Sequence, residues 1–363
     1  KLFFLWSTYL IFSSLMSNNI YFSLESSLFY FRFGIFAISI SFLIDKNKYF
    51  IKYFFFSLTA AFILISIDGY YQFLTGTNIL QYSYDGQRLS SFFGDEKIMG
   101  SYLSRLFPLL FALLIFNFGN SRNWMIFGIL LLVSSDVLIY LSGERTAFFN
   151  LILISTLIII LIKKWRYVRI FSLAISFLIL IVISLNNTST QDRMIFQTIE
   201  QTGISKGELK AFSSVHQIHY ESAFLIFKDH LFFGIGPNNF RNVCSDEKYL
   251  LYESQYNENS CSTHPHNTYF QLLAETGLIG TLPVCLVFLF IIYLFMRQFY
   301  SNIFLERAFI DDYKVCLYIC IFITLWPLIP SMSFFNNYIN IIYYLPAGFL
   351  INTFNLTNKK LEK

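Results

Sequence analysis

His264-Pro265-His266-Asn267 sets two imidazoles on either side of a proline. Pro265 fixes φ between them, so they are not free to converge casually. Asn267 suits a helix N-cap, and Thr268 with Gln271 matches a capping box. A helix is therefore expected to start at Asn267 or Thr268 and to stop at Gly277. His266 would then stand just before a helix N-terminus, where free N–H groups favour an anion. An imidazole there could take a proton from a hydroxyl while the helix end attends nearby negative charge. On these residues alone three readings stay open: a general base, a pair of structural loop histidines, or part of a metal site. Zinc wants three or four ligands, and no carboxylate or cysteine is convincingly placed to complete a set. Glu275, at most three turns on, could orient His266 or face solvent.

Arginines supply the other chemistry. Arg145 lies in Ser142-Gly-Glu-Arg-Thr146, at the opening of an apolar run. A guanidinium at that depth is costly without a partner or a polar cavity, and its fork suits a phosphate or diphosphate. The alternatives are an ion pair with Glu144 or snorkelling to the interface. Arg32 raises the same question more weakly. Arg88, Arg105, Arg193 and Arg241 fall on the same side of the chain's topology and could form a basic surface over a membrane.

The elements that must hold these groups are mostly apolar. Of 363 residues, 55% are hydrophobic and only 13% charged, against about 25% charged in a water-soluble domain. Apolar runs recur at 2–16, 27–44, 50–67, 99–118, 124–141, 147–162, 168–185, 278–296, 315–329 and 339–354. The expected fold is all-α: a polytopic integral membrane protein of about ten or more transmembrane helices, with one long extracytoplasmic loop containing short helices. The net charge of +4 resides in short loops rather than a patch, which argues against nucleic acid as a partner. The chain opens at Lys1, apolar at once and with no cleavage site, so a missing N-terminal piece is expected rather than a signal peptide.

Charge orients the runs. Lys46, Lys48 and Lys52 surround the second connection, and Arg122 sits in the fourth. Lys163, Lys164, Arg166 and Arg169 crowd the sixth; Arg297, Arg307 and Lys314 lie in the eighth, and Lys359, Lys360 and Lys363 in the tail. Every even connection is basic, which places these in the cytoplasm and the odd ones outside. Three parts follow: a seven-helix N-terminal bundle over 1–185, an outward loop over 186–277, and C-terminal helices with a cytoplasmic tail over 278–363. Within the loop, 213–228 reads as an amphipathic helix carrying His216, His219 and Tyr220. Gly234 to Arg241 reads as a tight turn, and 245–260 as a surface excursion. Cys244 and Cys261 are the two cysteines in that outward loop. Either they stay free thiols or they form a bridge closing about 18 residues, worth roughly 3 kcal/mol in the chain-entropy model.

The run His264–Gly280, HPHNTYFQLLAETGLIG, resembles the signature of the O-antigen ligase and O-antigen polymerase superfamily of bacterial envelope enzymes. Supporting matches are Ser142–Thr146 before a helix, Lys228-Asp229-His230, Gly234-Ile-Gly-Pro237, and Phe334-Phe-Asn-Asn337, in consistent order from Tyr71 to Phe354. The resemblance implies a multi-pass inner-membrane glycosyltransferase with a long periplasmic loop. Such enzymes take a glycan from an undecaprenyl diphosphate carrier and join it to an acceptor sugar hydroxyl, with no cofactor or required metal. The acceptor is another lipid-linked repeat in a polymerase and the lipid A core in a ligase; a chain-length regulator is a further partner. A polymerase is preferred here by a narrow margin. The different class of rival is a lipid-linked glycan transporter, which would carry functional polar residues at mid-membrane depth. By resemblance, His266 matches the base for the acceptor hydroxyl and Arg145 the donor-diphosphate arginine. Where many members carry a second arginine on the loop helix, this chain has His216. His216, His219, Arg193 or Arg241 could take that place, with His264, Asn267, Glu275 and Arg88 in support.

Overall fold

Apolar runs become helices because a helix satisfies its own backbone hydrogen bonds away from water. A computed structural model describes residues 1–201, 212–253 and 258–361. Each of the ten apolar runs overlaps a helix, but the run 27–44 is broken between Ser27 and Phe31, and the run 315–329 outlasts its helix, which ends at Thr324. Six helical stretches are long and apolar enough to cross a membrane: Ile20–Lys46, Phe50–Thr75, Met99–Phe118, Arg122–Leu141, Arg166–Asn186 and Thr268–Phe304. Leu2–Leu15 and Arg145–Leu161 are shorter apolar helices. At 1.5 Å per residue these two reach about 21 and 26 Å, less than the roughly 30 Å of a hydrocarbon core. Outside the helices, Tyr252–Glu253 pairs antiparallel with Glu258–Asn259. This two-residue ladder belongs to the expected surface excursion, whose residues 254–257 lie outside the described residues.

The chain divides into two compact units. The first comprises Lys1–Ser41, Gln201–Tyr293 and Thr324–Ile351. Its N-terminal helix Leu2–Leu15 is tied to the loop region by polar bonds at one edge. Trp6 Nε1 donates to the Gly280 carbonyl at 2.8 Å, Tyr9 Oη to Thr276 O at 2.6 Å, and Ser13 Oγ to Phe233 O at 2.9 Å. Tyr30 is almost fully buried, and its hydroxyl donates to Asn340 Oδ1 at 2.6 Å. Under the loop a small core gathers Ala223, Ile226, Ile235, Phe240, Tyr249 and Ala274. Cys244, disulfide-bonded to Cys261 with Cα atoms 5.0 Å apart, is part of that core.

The second unit comprises Phe42–Glu200, Leu294–Ile323 and Asn352–Lys363. Helix Met99–Phe118 is its most buried span, and Arg122–Leu141, Arg145–Leu161 and Arg166–Asn186 pack within the same unit. Arg169, expected among the cytoplasmic loop cations, is instead fully buried on helix Arg166–Asn186. Its guanidinium forks onto the buried Asp136 carboxylate at 2.8 and 3.0 Å, with Ser155 and Ser176 completing the set. A buried charge survives only when paired and hydrogen-bonded, and here both partners are saturated. As a closed ion pair it leaves neither charge free.

Candidate functional site

The histidine site is built by a cap, a turn and a clamp in the first unit. Asn267 Oδ1 accepts the N–H groups of Tyr269 and Phe270 at 3.0 and 3.3 Å, so the helix begins at Thr268. The expected capping box does not form. Thr268 Oγ1 pairs with Ser331 Oγ at 3.1 Å. Gln271 reaches sideways, donating to Ser333 Oγ at 3.0 Å and accepting the Phe334 N–H at 2.8 Å. Because Thr268 is already inside the helix, its hydroxyl is one residue too late to cap. At Gly277 the backbone turns to φ +63°, separating the short polar helix from the apolar one that follows. A Cβ there would lie 2.3 Å from the Phe232 carbonyl oxygen, so only glycine fits.

His266 itself has φ +56°, a left-handed conformation uncommon for a residue with a side chain. Its carbonyl is held by the Ser331 N–H at 2.8 Å and by Tyr220 Oη at 3.4 Å. Tyr220 stacks on Phe270 with centroids 4.9 Å apart. The His266 ring lies 4.2 Å from that of His264, 5.5 Å from His219 and 5.6 Å from His216. Ser262 Oγ is 3.3 Å from His266 Nε2. Burial and the neighbouring histidines lower the His266 pKa to about 3, and burial lowers that of His264 to about 4. Both rings are neutral near pH 7, the form in which an imidazole accepts a proton. Among the described residues, no group of three or more His, Cys, Asp or Glu is arranged to hold a metal ion.

The loop helix Ser214–Asp229 presents His216 and His219 to this site. His219 is buried, its Nδ1 2.9 Å from the Ser260 carbonyl; His216 Nδ1 is 2.6 Å from Ser213 Oγ. Arg241 lies in the short helix Phe240–Val243, with Nη2 donating to Asn238 Oδ1 at 2.9 Å, and its charge acts on His264. Glu275 does not bond His266 and is fully buried. Its oxygens accept the N–H groups of Asn238 and Phe240 and the Gln271 amide. The helix carries Glu275 away from His266 toward the Gly234–Phe240 turn, which it fastens.

A second cluster gathers around Gly143 in the other unit. Gly143 has φ +68°, and a Cβ on it would meet Gln87 O at 2.0 Å and Arg88 Cγ at 3.1 Å. Arg193 Nε donates to the Gly143 carbonyl at 3.3 Å, and its Nη1 to Gln197 Oε1 at 3.0 Å. Arg145, two residues on, is half-buried and makes no hydrogen bond or ion pair among the described residues; the charges of Arg193 and Arg88 act on it. Burial, then Arg88, lowers the pKa of Arg193. Arg88 donates to the Lys97 carbonyl while its buried Nε has no partner; buried Arg105 likewise leaves Nη1 unpaired. Glu144 is not the ion partner of Arg145. Its carboxylate accepts the Gly100 and Ser101 N–H groups at 2.7 and 3.2 Å, at the start of helix Met99–Phe118. Burial raises its pKa to about 7. Free helix N–H groups are strong competitors for a carboxylate, which keeps Glu144 from bonding Arg145, although its charge still acts on Arg88 and Arg105.

Ser262 and Ser331 were not singled out by the sequence. Ser331 gives its N–H to His266, its carbonyl to His264 and its hydroxyl to Thr268. A small polar residue in a loop far along the chain carries no signal of that kind before folding.

No curated protein sequence matches the chain significantly. Residues 127–285 match the family described as O-antigen ligase. The matched stretch includes Gly143, Arg145, Arg193, the loop helix with His216 and His219, the Gly234–Arg241 turn and the whole run from His264 to Gly280. Across that stretch the chain is similar to the O-antigen ligase family, and apolar helices long enough to cross a membrane lie both within the stretch and before it.

Proposed function

We propose that this chain is a membrane glycosyltransferase that joins undecaprenyl-diphosphate-linked oligosaccharide repeat units into surface polysaccharide, in the manner of an O-antigen polymerase. The observation that carries the reading is His266: a neutral imidazole in a strained turn, fixed at its carbonyl by Ser331 and at its ring by Ser262, beside a capped helix N-terminus. In the proposed reaction the acceptor hydroxyl gives its proton to His266 as its oxygen bonds the anomeric carbon of the donor. The bond from that carbon to the diphosphate breaks, and its electron pair leaves with the undecaprenyl diphosphate. The proton then passes from His266 to water. A diphosphate leaves well, so fixed positive charge does more than a general acid would. Arg145, with Arg88 and Arg193, has unpaired guanidinium capacity suited to that charge. His216, and Arg241 beside His264, are further diphosphate contacts in this reading.

The reading includes ten or more membrane spans in the bacterial inner membrane, with the 186–277 loop in the periplasm between bundles at 1–185 and 278–363. It needs no metal or cofactor. The polymerase and ligase readings are separated by the glycan profile of a deletion strain. Loss of long chains with one repeat still attached supports polymerase; polymer accumulating on the carrier supports ligase. An unchanged profile overturns both.

A further inference from the structure

We propose that Ser262 is the positioning residue for His266: its hydroxyl oxygen holds the ring proton on Nε2 and so leaves Nδ1 as the atom that takes the acceptor's proton. The inference rests on the reading of His266 as the base.

The hydrogen count around Ser262 dictates the direction. Its Oγ lies 2.7 Å from the His264 carbonyl oxygen, 3.3 Å from the His264 N–H nitrogen and 3.3 Å from His266 Nε2. A hydroxyl has one proton, and a carbonyl can only accept, so that proton is spent on His264 O. Toward His266 the same oxygen can then only accept. Nε2 therefore carries a hydrogen, and in the neutral ring Nδ1 holds the lone pair. His266 Nδ1 has no partner among the described residues.

His264 is arranged otherwise. Its Nε2 faces the Ser331 carbonyl at 3.3 Å and so carries the hydrogen, while Nδ1 receives the Thr263 hydroxyl at 3.0 Å. Its lone pair is engaged. Of the two imidazoles flanking Pro265, His266 alone keeps an uncommitted basic nitrogen. Ser262 is itself held from the preceding residue, since Cys261 is bonded to Cys244 and gives its N–H to Asn259 Oδ1 at 2.9 Å.

The arrangement favours the protonated state when it forms. Proton transfer to Nδ1 makes an imidazolium whose Nε2–H bond to Ser262 becomes charge-assisted and stronger. That gain opposes the burial and the three nearby rings of His264, His216 and His219 that disfavour the charge. Tyr220, packed against the same turn, gives its hydroxyl to the His266 carbonyl and leaves the ring alone.

The test uses membranes carrying the full chain, supplied with undecaprenyl-diphosphate-linked repeat units extracted from a deletion strain. Ser262→Ala, Ser262→Thr and His266→Ala are compared with the parent. Ser262→Ala is expected to lower kcat on the order of tenfold, the effect of one lost hydrogen bond that strengthens with charge. KM should stay within about twofold of the parent, because the substrate is not touched. The acid limb of the pH profile should move to lower pH, because the imidazolium loses its acceptor. Ser262→Thr keeps the hydroxyl and should restore both rate and limb. Parent-like kcat and limb in Ser262→Ala, or equal damage in Ala and Thr, overturns the inference while leaving the base reading intact. Parent-like transfer by His266→Ala overturns the base reading, and the inference falls with it.

Discussion

The Glu275 carboxylate accepts the backbone N–H of Phe240 at 3.0 Å, across 35 positions of chain, and that of Asn238 at 2.9 Å with its other oxygen. The Gly236 N–H answers by donating to the Glu275 carbonyl at 2.8 Å. The motif helix and the glycine turn are thus one fastened piece. Glu275→Ala leaves two N–H groups and the Gln271 amide without their acceptor, and each buried unpaired donor costs about 1–3 kcal/mol. A clear fall in unfolding temperature of the detergent-solubilised protein is expected, with Glu275→Gln in between. An unchanged unfolding temperature would show that water replaces the carboxylate at no cost.

Arg145 offers a guanidinium with no hydrogen-bonding partner among the described residues, in the field of Arg88 and Arg193. If its fork holds a diphosphate, a point charge cannot replace it. Arg145→Lys is then expected to be nearly as damaging as Arg145→Ala, both cutting transfer at least on the order of a hundredfold. Glycan chain length on complemented cells reads this out. Full activity in the Lys variant argues against diphosphate binding.

The helices were legible because a long apolar run has one solution in a bilayer, and the start at Thr268 and the break at Gly277 because capping is local chemistry. Partnerships made by folding were not. Nothing near Glu275 in sequence names Asn238 or Phe240. Arg169 stands three residues beyond Arg166 and reads as one more loop cation until helix packing brings Asp136 against it. The capping box was misread for the opposite reason: Thr268 and Gln271 have the right spacing, but Asn267 one residue earlier already accepts the free N–H groups. The role of Ser262 depends on where a single hydroxyl proton points, which spacing cannot encode.

Burial and clustered rings set the pH dependence. The His266 pKa is lowered to about 3 and that of His264 to about 4, against about 6.5 for a free imidazole. A base with a lowered pKa keeps its lone pair as the medium acidifies, so transfer should hold from about pH 8 down to about pH 5 and fail only below that. Stability follows the opposite trend. Between about 6.5 and the folded values the unfolded chain binds protons that the folded chain refuses. Stability is therefore complete above about pH 6.5 and declines as pH falls through that window. Rate profiles and unfolding temperatures on the same preparation check both; an acid limb near 6.5 would mean that the rings are more hydrated than their packing implies.

The bridge between Cys244 and Cys261 spans 17 positions and anchors the residue before Ser262. In the chain-entropy model closing a loop of this size contributes roughly 3 kcal/mol. Cys261→Ser, or a reductant, should lower the unfolding temperature and reduce kcat more than KM, since the displaced group positions a base and does not bind substrate. Equal unfolding temperatures with and without reductant would show that the bond adds nothing to the packing of Cys244 in the loop core.

Gly143 carries the last prediction, because two constraints meet there. Its φ of +68° suits glycine, and a Cβ would fall 2.0 Å from the Gln87 carbonyl oxygen, a backbone atom that cannot swing aside. Its own carbonyl receives Arg193 Nε, and Arg145 follows two residues later. Gly143→Ala must push the 87–88 segment away or twist the turn, and either motion spreads Arg88, Arg145 and Arg193. The strain costs on the order of 1–3 kcal/mol, enough to lower expression without abolishing it. If the arginines act together on one anion, as proposed, activity should fall further than the amount of folded protein does. Immunoblots of membrane protein beside glycan chain length separate the two effects. Activity that merely tracks protein amount would mean that the turn supports the fold and does not set the arginines.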